Sequence, residues 1–237
     1  MEIGRYSSKY IHYYTGEIPE MVSCVFKSLS VKDFADLGSG DGSLLYSLFA
    51  KGYLAGASNV IAVDISQERI NNVSRIDSRI KCFQGDICNL KMINDESLDF
   101  AVSSQVIEHI SDQDRFVSEA GRILRKDGIF YLSTVFKKWY AWYFYRSLGR
   151  WVLDPTHLRE YQDTAELLTI IQRRGFEVLR DRKTLQWFPL TDFFLKRICP
   201  GDGARTAYKN RFLNAARKIK VPVLGYYNWE ILLKKSR

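Results

Sequence analysis

Cysteine is scarce: four residues in a chain of 237. Cys24, Cys82, Cys88 and Cys199 show none of the paired spacings that hold a structural metal or staple a small secreted domain. They are read as reduced thiols. Histidine is scarcer still, with His12, His109 and His157 the three in the chain, so side chains that titrate near neutrality are few. No run reaches the ~18 apolar residues of a membrane-spanning helix. Residues 1–14 are polar and aromatic and do not read as a secretory signal. The expected location is the cytoplasm, with peripheral contact at a membrane left open by the features below.

What is present is unevenly placed. The formal net charge is +8. Residues 1–136 hold 14 Lys/Arg against 18 Asp/Glu, whereas residues 137–237 hold 21 against 9. An acidic half joined to a basic half points to an anionic partner for the second: a membrane surface, a phosphorylated substrate or nucleic acid. A solvated basic face is the plain alternative.

The chain is organised around Asp36-Leu37-Gly38-Ser39-Gly40-Asp41-Gly42-Ser43. An apolar run leads into glycines at alternate positions, and a helical pattern with Leu44, Leu45, Leu48 and Phe49 follows. Glycine is needed where φ is positive or a ligand comes too close for a Cβ, and the turn offers N–H groups at a helix start. Asn59–Ser66 and Ile80–Ile87 read as second and third strands, each ending in an acid, Asp64 and Asp86. Leu98–Ser104 is the fourth, followed by Gln105-Val106-Ile107-Glu108-His109, and a helix from about Asp112 to Leu124 is expected, closed by a Lys126-Asp127-Gly128 cap. Ile129–Val135 is the fifth. Five strand–helix units with short connections imply an open, mostly parallel sheet with helices on both faces. Ligands in such sheets bind at the carboxyl ends of the strands, where the Gly38–Gly42 turn, Asp64, Asp86 and Ser103–His109 all fall. A sixth strand is expected from Phe176 to Leu185 and a seventh from Tyr226 to Lys234.

Taken together these motifs resemble the class I S-adenosylmethionine-dependent methyltransferases. Asp36 to Gly42 matches the D/E-x-G-x-G-x-G turn, Asp64 the ribose-binding acid, Gly85-Asp86-Ile87 the adenine-side acid, and Lys126-Asp127-Gly128-Ile129 the K-P-G-G turn with Asp127 for Pro. The resemblance implies a Rossmann-like α/β fold with a seven-stranded, mostly parallel sheet whose last strand is antiparallel. It implies S-adenosylmethionine as cofactor and a cofactor set of Asp36, Gly38, Ser39, Gly40, Gly42, Asp64, Ile65, Asp86, Ile87, Ser104 and Gln105. A dinucleotide fold would want Gly or Ala at position 43, which is Ser. Ser103 to His109, Pro155-Thr156-His157 and Arg159-Glu160-Tyr161 are similar to the ubiquinone-biosynthesis O-methyltransferases. In that group an E-x-x-E-H segment is linked to a divalent metal. Here Gln105 replaces the first acid and is a weak ligand for a hard cation, so no metal ligand is assigned.

Transfer to an oxygen needs a base within reach of the acceptor, and His109, His157 and Glu108 are the candidates. Each has a plainer role too: His109 and Glu108 shaping the pocket, His157 capping the helix after Thr164. The single domain, 1–237, carries three additions in this reading. Residues 1–30 are an N-terminal helical lid. Residues 136–157 are an aromatic and basic insertion, in which Phe136–Trp151 has eight aromatic and four basic residues. Residues 188–222 are a basic helical insertion. The aromatic stretch suits a bilayer interface, a lid over a hydrophobic acceptor, or stacking on bases. The expected function is methyl transfer to a small or lipid-like acceptor, at a hydroxyl. An RNA-modifying methyltransferase and a non-catalytic cofactor-binding subunit are the alternatives.

Overall fold

Phe34 and Ala35 are neighbours in sequence and both fully buried, yet they pack into different cores. The same parity holds along the central strands: Phe100 and Val102 face one core and Ala101 the other, and Tyr131 and Phe130 divide likewise. A sheet with an apolar layer on each side produces this pattern, because successive side chains of a strand point to opposite faces.

The computed structural model describes residues 17–143, 145–147, 149–189, 212 and 219–236. In chain order the elements are α1 (Glu20–Ser28), β1 (Asp33–Leu37), α2 (Ser43–Ala50), β2 (Asn59–Asp64), α3 (Gln67–Val73), β3 (Ile80–Gln84), β4 (Leu98–Ser104), a 3-10 turn (Ile107–His109), α4 (Gln113–Ile123), β5 (Leu124–Lys137), β6 (Tyr145–Ser147), β7 (Arg150–Val152), α5 (Thr164–Arg173), β8 (Phe176–Pro189) and β9 (Lys220–Lys235). The main sheet has seven strands in the order β3-β2-β1-β4-β5-β9-β8. All pairs from β3 to β5 are parallel, and β9 is antiparallel to both β5 and β8. The expected Rossmann-like sheet with its antiparallel last strand is therefore present. Helices α1 and α2 cover one face through Met21, Val22, Leu45 and Leu48, and α4 and α5 the other through Phe116, Val117, Leu167 and Ile171.

Some boundaries differ from expectation for physical reasons. Helix α4 ends at Ile123, within one residue of the expected Leu124, but Lys126-Asp127-Gly128 does not cap it. Those residues form a bulge within β5, where the register against β4 jumps between Leu98 and Phe100. Asp127, not Gly128, takes the left-handed conformation, at φ 64°. A Cβ on Gly128 would lie 2.8 Å from the Arg125 carbonyl oxygen, so the glycine is required by close approach. Strands β8 and β9 extend beyond the sheet by pairing with each other, Pro189 opposite Lys220. After β5 comes a turn and the small β6–β7 hairpin, so the aromatic stretch is not helical where it is described. Residues 1–16 of the lid and most of the 188–222 insertion lie outside the described residues.

Gly38 has φ 79°, and a Cβ there would sit 2.6 Å from a Val106 methyl. Gly38→Ala is therefore expected to lower unfolding free energy by about 1–3 kcal/mol, measured by denaturant unfolding; an unchanged midpoint would contradict the strained-turn assignment.

Candidate active site

The chain runs β1 to β3 outward along one half of the sheet, then returns to place β4 on the other side of β1. This reversal opens a crevice at the carboxyl ends of β1 and β4, the position where such sheets bind ligands. The β1–α2 turn lines it. Gly38, Gly40 and Gly42 all have positive φ, at 79°, 55° and 80°. Only Gly40 has open space where a Cβ would be, with nothing within 4 Å; at Gly42 a Cβ would meet Ile76 at 2.5 Å. Gly40 thus keeps a cradle clear for a ligand, while Gly38 and Gly42 serve packing and backbone conformation.

Asp64, buried at the end of β2, ties this turn down. Its Oδ2 accepts from the Gly40 N–H and its Oδ1 from the Ser66 N–H, both at 2.9 Å. Each oxygen retains a second lone pair for a ribose hydroxyl. Asp36 is buried beside it, and burial together with the Asp64 charge pushes its carboxyl up to about 7. Asp86 is exposed after β3, its Oδ1 accepting from the Cys88 N–H at 2.9 Å. Ile65 is half exposed and Ile87 buried. Ser104 is bonded to the Ser133 hydroxyl at 2.9 Å. Gln105 has φ 57°, and its amide donates to Asn228 Oδ1 at 2.9 Å, bridging β4 to β9. The open space at Gly40, flanked by acids and by exposed apolar Ile65, fits an adenosyl ligand.

A second cluster lies after β4. Glu108, His109 and His157 each bring one ligand atom within 4.8 Å of the others. Glu108 is fully buried; Oε2 accepts from the Thr134 hydroxyl at 2.9 Å, while Oε1 has no hydrogen-bond partner. Burial pushes its carboxyl up to about 7, opposed by His157 and Thr134 and reinforced by Glu160. The loop bearing His157 is docked on this turn, with the Leu158 and Arg159 N–H groups donating to the Glu108 carbonyl. The two imidazoles meet edge to face, 4.8 Å between centroids.

The tautomers follow from the partners. The Thr156 hydroxyl gives its one proton to Asp154 Oδ1 at 2.7 Å, and His109 Nδ1 lies 3.1 Å from that hydroxyl oxygen and 3.3 Å from the Thr156 carbonyl. Both are acceptors toward His109, so Nδ1 carries the proton and Nε2 the lone pair. Burial and the neighbouring His157 hold the His109 pKa below the ordinary value. His157 Nδ1 faces Glu160 Oε1 at 2.8 Å. Burial raises the Glu160 carboxyl, but His157, the Leu153 N–H and Lys137 outweigh it and hold it below the usual range. An ionised Glu160 fixes the His157 proton on Nδ1 and leaves Nε2 as an acceptor. Lys137 completes the support, 2.9 Å from Glu160 Oε2 and donating to the Trp151 carbonyl at 2.9 Å.

The fold thus brings the sequence candidates into two groups: the glycine turn with Asp36 and Asp64, and Glu108 with His109 and His157. His157 does not cap α5, since Asp163 accepts from the Ala165 N–H there. Glu160, Thr156, Lys137 and Asn228 had no assigned role in the sequence reading; the His157-x-x-Glu160 spacing was the available signal for one of them. Two imidazoles and one carboxylate also form a donor set suited to a borderline divalent cation, which Glu108, His109 and His157 would hold and which would polarise an acceptor oxygen.

Residues 35–132 match the methyltransferase domain family. A probable S-adenosylmethionine-dependent methyltransferase of Mycolicibacterium smegmatis is 34% identical over 62% of this chain and 52% of its own length. A ubiquinone biosynthesis O-methyltransferase of Bartonella tribocorum is 25% identical over 66% of this chain and 64% of its own. The chain spans about half the length of the mycobacterial relatives it matches. Among solved structures, YcgJ of Bacillus subtilis aligns with a TM-score of 0.59 at 16% identity, covering 90% of this chain and 96% of that one. The [4+2]-cyclase SpnF aligns at 0.62 and 19%, covering 96% and 89%. At these identities the structures speak to the fold alone, and a cyclase among them makes the point that a fold does not fix a reaction. The sequence matches go further: residues 35–132 match a methyltransferase domain, and the relatives include a probable S-adenosylmethionine-dependent methyltransferase and a ubiquinone biosynthesis O-methyltransferase.

Two outcomes follow. Gly40→Ala places a methyl in the open cradle and is expected to weaken S-adenosylmethionine binding about tenfold or more, while costing the fold only about 1 kcal/mol for its left-handed φ; calorimetry giving an unchanged Kd would remove Gly40 from the site. Asp36 binds its proton more tightly folded, near pH 7, than unfolded, near 3.8. Its stabilisation is complete below the unfolded value and is lost as pH rises to about 7. Asp36→Asn should therefore gain on the wild type by about 1–3 kcal/mol between pH 5 and pH 8, read from unfolding at the two pH values; a constant difference would contradict a buried, proton-holding Asp36.

Proposed function

We propose that this domain transfers the methyl group of S-adenosylmethionine to a hydroxyl of a small or lipid-like acceptor, with His157 taking the hydroxyl proton. The observation that carries the reading is the Glu160–His157 pair, which leaves an imidazole lone pair at Nε2 within the Glu108–His109–His157 cluster. S-adenosylmethionine, when bound, supplies a methyl group already activated on sulfur. The protein then has three tasks. The Gly38–Gly42 turn and Asp64 hold the cofactor, the loop docked on Glu108 positions the acceptor, and His157 Nε2 accepts the acceptor proton. Glu160 and Lys137 keep His157 in the tautomer that can do so. The likeness to ubiquinone O-methyltransferases supports oxygen as the acceptor atom.

Glu108 lends weight to a second reading of the same cluster. Its unpartnered Oε1 beside two imidazoles would suit a divalent ion that lowers the acceptor's pKa. The RNA-modifying alternative draws on the basic charge of residues 193–220. Intact glycine-turn geometry speaks against a non-catalytic subunit.

The test is transfer of labelled methyl from S-adenosylmethionine into lysate fractionated as lipid, small polar molecules and RNA. Label is expected in the lipid or small-molecule fraction as a methyl ether; label in RNA would overturn the reading. Against a purified acceptor, His157→Ala should lower kcat about 10²–10⁴-fold. Glu160→Gln should lower it less and move the pH profile. Activity should survive exhaustive EDTA if the imidazole acts alone, and its loss with recovery on adding a divalent ion would favour the metal-assisted reading.

A further inference from the structure

Beyond β5 the sheet does not end in a polar rim. The chain turns at Lys138–Ala141, and this turn is fastened to β9 by the Lys138 N–H donating to the Gly225 carbonyl at 2.8 Å. Gly225 has no room for a side chain, since a Cβ would lie 2.7 Å from Ala141 Cα. Val135, Ala141, Tyr143, Val223 and Tyr226 form a separate small apolar cluster beneath. The turn is therefore rigidly held, yet its outward residues are apolar. Trp139 is 87% exposed and Tyr140 is half exposed. On the adjoining β8–β9 extension, Leu224 is 71% exposed, and Trp187 and Val221 also face outward. Lys138, Arg150 and Lys220 are exposed, Lys220 with its Nζ 3.5 Å from the Glu17 carboxylate, itself exposed to solvent.

We propose that this end of the sheet docks on an anionic lipid bilayer, with Trp139, Tyr140 and Leu224 entering the interface and Lys138, Arg150 and Lys220 meeting the headgroups. Indole and phenol rings favour the headgroup level, where one edge is apolar and the other wet. Cations beside them attract anionic lipid, at about 1 kcal/mol each. Charge excludes a second copy of this face as the occupant, because two such patches across a twofold axis would set like charges against one another. Aliphatic Leu224 and Val221 have no stacking surface to offer nucleic acid, whereas both gain from burial among acyl chains. No helix among the described residues is long and apolar enough to cross a membrane, so the contact is at the surface. The patch begins two residues after β5, at the same end of the sheet as the crevice. A bilayer there would face the mouth of the acceptor site.

The test is flotation of the full chain with vesicles of phosphatidylcholine alone and of phosphatidylcholine with phosphatidylglycerol. It requires no methyl transfer, so it stands or falls apart from the proposed reaction. Binding is expected to the anionic vesicles and to be about tenfold weaker to neutral ones and at high salt. Trp139→Ser with Tyr140→Ser should lower the partition coefficient about tenfold or more, with the thermal midpoint unchanged as a folding control. If that variant fails to fold, Trp139→Phe serves in its place: brominated lipid should quench tryptophan fluorescence in the wild type and lose part of that effect in the variant. Absence of binding to anionic vesicles, binding indifferent to both substitutions, or preference for RNA over vesicles would each overturn the proposal.

Discussion

One carboxylate joins the two halves of the crevice at the ends of β1 and β2. Asp64, at the end of β2, accepts from the N–H of Gly40 in the β1–α2 turn and from the N–H of Ser66 at the start of α3. The turn would otherwise be poorly determined, since three of its residues sit at positive φ and glycine carries the largest conformational freedom to be lost. The Gly38 and Ser39 N–H groups add bonds to the Val63 carbonyl. The turn is thus held by its neighbours, while the space at the Gly40 Cβ position is left clear. Placing Asp36 in the same dry corner has a cost, visible in its raised pKa. A fold retains such a group where its proton or its acceptor oxygens serve a purpose, although structural networks shift pKa values as well.

The acceptor side is built on a different principle. Glu108, His109, His157 and Glu160 come from two segments that meet only because the 154–160 loop folds back onto the Glu108 carbonyl. Each imidazole has its Nδ1 proton committed to a neighbour, and Glu108 Oε1 has no hydrogen-bond partner, so the cluster is rich in acceptors. Such a group is completed by a proton or by a cation. An acceptor hydroxyl brings the proton, which is the chemistry proposed here. Lys137 links this cluster to Trp151 in the aromatic hairpin, so the element proposed to meet the bilayer and the element proposed to hold the acceptor share a buried ammonium.

Much of this was legible in the sequence. The apolar strands, the alternate glycines and the acids after them fixed the sheet and its crevice, because strand burial and turn chemistry are local signals. The Lys126-Asp127-Gly128 turn was seen but misplaced. It reads as a helix cap, and only the register jump between β4 and β5 makes it a bulge. Glu160 was visible as a residue but not as a partner, since its role depends on a loop conformation that no periodicity encodes. The aromatic stretch is recognisable by composition, while its form depends on strand pairing and, at the Lys138–Ala141 turn, on Gly225, far away in sequence.

The account rests on the crevice accepting an adenosyl sulfonium and not a dinucleotide. Calorimetric titration of the purified chain with S-adenosylmethionine, and separately with NAD, tests this most directly. The expected result is saturable one-to-one binding of S-adenosylmethionine and no heat with NAD. Silence toward S-adenosylmethionine, or tighter binding of NAD, would contradict it.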